Sequence, residues 1–203
     1  MDVEAATQSN QPADRSRQPP RGSSTSLSLA QETARLLAQK EYEQAVHQWV
    51  GAICAKVYSP RSLSRKLAEL RAMLAQTDIS PEEFETHFLT ALGQEAQTKE
   101  QRLLMEALFF EGFDDFERAL PAIHRWTEKQ PQLKRRLQKA IDLSMWVPGS
   151  ATIHLAIAEL LIQLGNGEQA ASVLEPVVRH AGLEAQVAHA QSLLAQLGSR
   201  SDN

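Results

Sequence analysis

The sequence predicts an all-α protein, an α-solenoid of roughly ten antiparallel helices arranged as stacked hairpins. Three observations predict it. From Ser26 onward apolar residues recur at three- and four-residue spacing, and no stretch alternates as a half-buried strand does. These runs are punctuated by turn residues at Gly112-Phe113-Asp114, Pro148-Gly149-Ser150 and Gly165-Asn166-Gly167. An alanine-centred pattern then recurs in three of the runs, as expected when one helical pair is repeated.

Composition narrows the class further. The 203 residues suffice for one folded unit, and a formal charge of −4 argues against a surface matched overall to nucleic acid or an anionic membrane. One cysteine, Cys54, permits neither an intrachain disulfide nor a cysteine-based zinc cluster, which points to the cytoplasm. Residues 1–25 are rich in Gln, Pro, Ser and Arg and nearly free of large apolar side chains, so they read as a disordered tail without the apolar core of a signal peptide. The helical domain is expected over 26–198, with 199–203 a disordered C-terminus.

Each helix follows from its residues. In SLAQETARLLAQK, Leu29, Thr33 or Ala34, Leu36 and Leu37 share a face, and EYEQAVHQWVGAICAK continues with Tyr42, Ala45, Val46, Trp49, Ala52 and Ile53, the two helices meeting near Lys40. Ser59-Pro60 starts a helix with Leu63, Leu67, Leu70 and Leu74 in register. Ser80 with Pro81, Glu82 and Glu83 is another start, for a helix closed by Gly93. KEQRLLMEALFFEG and DDFERALPAIHRWTEKQ form a pair, PQLKRRLQKAIDLSMW follows, and ATIHLAIAELLIQL pairs with GEQAASVLEPVV. The last helix, LEAQVAHAQSLLAQLG, ends at Gly198, while Pro121 and Pro176 should bend or interrupt the helices that contain them.

The repeated pattern is an alanine followed four and seven residues later by packing residues: Ala45, Trp49 and Ala52; Ala119, Ile123 and Trp126; Ala170, Leu174 and Val177. With Leu104, Ala107, Phe110, Phe116 and Pro131 around the second, and Leu155, Ala158, Leu161 and Gly165 before the third, the chain resembles the tetratricopeptide repeat family. The small residues Ala107 and Ala119, and Ala158 and Ala170, would let paired helices approach closely. The repeats are degenerate: the spacing is uneven, Thr33 stands at the first crossing, 61–93 reads as a degenerate hairpin and 131–145 as an extra helix.

No catalytic pattern emerges. The six histidines (His47, His87, His124, His154, His180 and His189) include no pair four residues apart, Glu83 and His87 read as a surface pair, and Gly165-Asn166-Gly167 follows a helix and lacks the lysine of a phosphate loop. No cofactor or metal is expected. The resemblance instead implies a protein-binding scaffold, adaptor or chaperone whose first helices line a concave groove, with Gln101, Leu104, Leu108, Glu111, Thr152, Leu155, Glu159, Ile162 and Gln163 at the lining positions. That strip is apolar with acidic edges, suited to a partner peptide or amphipathic helix carrying some positive charge, or the leucines simply pack against neighbouring helices. The other reading is a nucleic-acid-associated helical protein using the basic clusters at 61–71 (Arg61, Arg65, Lys66, Arg71) and 134–139 (Lys134, Arg135, Arg136, Lys139).

Overall fold

A computed structural model describes residues 28–56 and 58–201. The expected N-terminal tail, residues 1–25, lies outside the described residues. The described residues form ten helices and no strand: α1 (Leu29–Ala38), α2 (Tyr42–Cys54), α3 (Pro60–Leu74), α4 (Pro81–Glu95), α5 (Lys99–Gly112), α6 (Phe116–Thr127), α7 (Leu133–Trp146), α8 (Ala151–Gln163), α9 (Gly167–His180) and α10 (Glu184–Ser201).

Side-chain caps set most of the starts. Ser28, Ser59, Ser80, Thr98, Asp115 and Ser150 each accept a hydrogen bond from a first-turn backbone N–H, satisfying donors that the helix itself leaves open. Two ends differ from the sequence reading. Gly93 lies inside α4 and Gly198 inside α10, because a glycine stops a helix only where the chain turns left-handed, and neither does so. Pro121 and Pro176 sit on exposed faces of α6 and α9, which continue through both, so the interrupted-helix alternative does not apply.

Three hairpins share one turn. The residues after α1, α5 and α8, namely Lys40, Asp114 and Gly165, all have positive φ, at 62°, 58° and 79°. The next N–H then reaches back five residues each time: Glu41 to Leu36 O at 3.0 Å, Asp115 to Phe110 O at 3.0 Å and Asn166 to Leu161 O at 2.9 Å. This is the Schellman turn, which caps the first helix and sends the chain straight into the second. Twelve residues separate the small crossing pairs in each case (Thr33 and Ala45, Ala107 and Ala119, Ala158 and Ala170), and all six are buried. The repeat is therefore one backbone device used three times, although only Gly165 is the residue type that adopts it without strain.

Between the hairpins the packing departs from a regular array. α4 lies along α2, and α3 lies along α5, so 61–93 is not a closed hairpin of its own. The gap between the first and second hairpins is filled by phenylalanines: Phe88 stacks on Phe109 at 4.2 Å, and Phe84 and Phe113 adjoin them. α8 occupies the centre of the C-terminal half, touching α6, α7, α9 and α10.

Candidate functional site

The nine lining positions divide by burial. Leu108, Thr152 and Leu155 are in the core, with Leu155 at 0% exposure, and this corrects their assignment to an open groove. The side-chain hydrogen bonds of the α8 strip go to α6 and α10, while α7 and α9 also lie along α8, so this helix is enclosed by its neighbours. Thr152 instead accepts a buried hydrogen bond from the Gln186 amide at 3.0 Å, tying α8 to α10. Leu104 is half-buried against the core, and the Gln101 amide donates to the Cys54 carbonyl at 3.0 Å. Glu111 and Ile162 are partly covered, and Gln163 is exposed. With Leu108, Thr152 and Leu155 buried, the nine positions do not form one open surface.

Glu159 has a task that sequence spacing could not reveal. Its two carboxylate oxygens meet two imidazoles, His124 Nε2 at 2.5 Å from α6 and His189 Nε2 at 2.6 Å from α10, so one side chain joins three helices. Burial pushes the Glu159 pKa up, but the hydrogen bonds and charges of His124 and His189 outweigh it and hold the carboxyl below its ordinary range. Both oxygens are committed, leaving no acidic edge here for a cationic partner. Among the described residues no group of His, Cys, Asp or Glu has the geometry to hold a metal ion.

The cysteine is buried. Cys54 Sγ lies 3.6 Å from Met105 Sδ, and burial, followed by the charge of Glu95, pushes its pKa up to about 11. Glu83 and His87 form the expected surface pair at 3.7 Å. An open recess of about 960 Å³ beside α1, α2 and α4 is walled by Glu32, Glu41, Glu43 and Glu83 with His47 and His87, a solvated polar surface.

The basic clusters are largely engaged within the fold. Arg65 and Lys66 pair with Glu69, and Arg71 pairs with Asp114 and the Gly112 carbonyl. On α7, Arg136 Nε donates to Gln130 O at 2.8 Å, and Lys139 pairs with Glu100 while its Nζ lies 4.2 Å above the Trp126 ring. The Lys134 and Arg135 side chains have no hydrogen-bond or ion-pair partner among the described residues, although the Arg135 backbone N–H donates to Gln132 O. α7 also carries Met145 and Trp146, the large apolar side chains left exposed among the described residues, at 65% and 41%. Trp126, by contrast, is buried.

No helix among the described residues is long and apolar enough to cross a membrane. No curated protein and no solved structure matches the chain. Residues 114–197, from the second Schellman turn through most of α10, match the tetratricopeptide repeat family. The three shared turns, the buried small-residue crossings and that match, which spans less than half of the chain, support a tetratricopeptide-repeat-like helical repeat fold.

Proposed function

We propose that the chain is a non-catalytic protein-interaction module, a scaffold, adaptor or chaperone that binds a segment of a partner protein as a peptide or helix. The thrice-repeated hairpin carries this reading, because tetratricopeptide repeats generally mediate association between proteins. With Leu108, Thr152 and Leu155 in the core, the partner is read as docking outside the α8 strip. A cytoplasmic location belongs to the same reading and rests on the single, buried thiol. The nucleic-acid reading is weaker, because most of the clustered arginines and lysines already have partners in the fold.

The test is affinity capture from host lysate, with and without nuclease treatment in parallel, followed by size-exclusion chromatography of the recovered material. A protein that co-elutes with the chain in fixed stoichiometry supports the module. Recovery of nucleic acid alone, released by salt, would replace it with the basic-cluster reading.

A further inference from the structure

We infer that the exposed face of α7 is a docking edge for an acidic amphipathic helix of the partner. This rests on the protein-binding reading and supplies the surface and the charge that it lacks. In α7, Leu133, Leu137, Ile141 and Met145 recur every four residues, and each such step advances about 40° around a helix. The row therefore winds from the core to the outside: the first three are packed partly against the core, whereas Met145 is exposed beside Trp146. An adaptable methionine next to a tryptophan with one open face is the side-chain pairing that anchors helix-in-groove contacts.

The charge around that row identifies the occupant. Lys134 stands seven residues before Ile141 and Arg135 eleven before Trp146, spacings that bring each pair within about 20° of one another around the helix. Neither cation has a partner among the described residues, and the one acid in α7, Asp142, accepts from Gln138 instead. The first turn also places Lys134, Arg135 and Arg136 where the helix dipole disfavours positive charge, with no acidic residue and no side-chain cap at Gln132. The Arg135 and Arg136 backbone N–H groups turn back onto Gln132 O at 2.9 and 3.0 Å, so carboxylates from outside would answer the unpaired Lys134 and Arg135 side chains and the positive end of the helix. A second copy of this face would bring like charges together, so the complement is an acidic helix and not α7 itself.

The experiment titrates the full chain with two fluorescein-labelled helix-forming peptides. Both have leucine at three- and four-residue spacing; one is flanked by glutamate, the other by lysine. Met145→Ala/Trp146→Ala and Lys134→Glu/Arg135→Glu chains, checked by circular dichroism, serve as variants. The wild type is expected to bind the glutamate peptide, more weakly as salt rises, and each variant to lose about tenfold or more in affinity. The lysine peptide should bind only the charge-reversed variant.

Equal binding of both peptides by the wild type would overturn the acidic partner while leaving the edge. Binding unaffected by Met145→Ala/Trp146→Ala would overturn the edge. Failure of the glutamate peptide to bind overturns the inference, as does self-association lost with either variant. So does a preference for phosphatidylserine vesicles or duplex DNA over the peptide. If the Met145→Ala/Trp146→Ala chain still captures a stoichiometric protein from lysate, the protein-binding reading stands and only its surface moves.

Discussion

Leu155→Ala separates a groove from a core. Leu155 is fully buried in α8 among contacts with α6, α7, α9 and α10, so truncation removes three carbons from a packed interior and exposes nothing in the native state. At roughly 0.8 kcal/mol per buried carbon the transfer loss is about 2.4 kcal/mol. A residual cavity raises the total to about 3–4 kcal/mol, because the four helices around α8, two of them hydrogen-bonded to it, cannot all close in on it. Urea denaturation followed by far-ultraviolet circular dichroism reads this as a lower midpoint at unchanged slope. Gln163→Ala, on the same helix but exposed, should stay within about 0.5 kcal/mol of wild type. A loss below about 1 kcal/mol for Leu155→Ala would mean that its surroundings are open, and the enclosure of α8 would be refuted.

Three further expectations concern other parts of the stack. Gly165→Ala meets no atom within 4 Å but must hold a φ of +79°, so the backbone alone should cost about 1 kcal/mol, lowering Tm by about 2–4 °C; an unchanged Tm would contradict the shared Schellman turn. Because the Glu159 pKa is depressed on folding, the stabilisation it provides is full above its unfolded value near 4.5 and is lost as pH falls through the lower folded value. Urea midpoints measured against pH should accordingly fall less steeply below about pH 4.5 in Glu159→Gln than in wild type, and parallel curves would remove the three-helix link. The Cys54 thiol, with its pKa pushed up to about 11, should resist alkylation at pH 8 in the native chain and react fully in urea; rapid native labelling would place it at the surface.

The helices and hairpins were legible because their signals are local. Serine starts, apolar spacing and a small residue repeated twelve positions apart are all contained in short windows. What the sequence reading missed depends on which helices become neighbours. The extra helix at 131–145 is visible, but nothing in its residues says that it lies along α8, nor that α6 and α10 hold the α8 strip by side-chain hydrogen bonds. One signal did point that way: ATIHLAIAELLIQ is apolar nearly all round, which is the pattern of a central helix and not of one lining a surface. Glu159 in that run was assigned to a groove edge, although an isolated carboxylate in so apolar a helix calls for partners. Those partners stand 35 and 30 residues away, beyond any local pattern. The turns at Lys40 and Asp114 are visible in the sequence, but their left-handed backbone, shared with Gly165, is not, because neither is a glycine.

The most direct test of the account is backbone hydrogen exchange of the chain alone and in complex with the protein captured from its host. The account predicts that α8, residues 151–163, exchanges slowly in both states, because it is already enclosed. New protection on binding should appear across α7, residues 133–146, strongest around Met145 and Trp146. Fast exchange of α8 in the free chain that slows on binding, with α7 unchanged, would restore the concave strip as the binding surface and contradict the account.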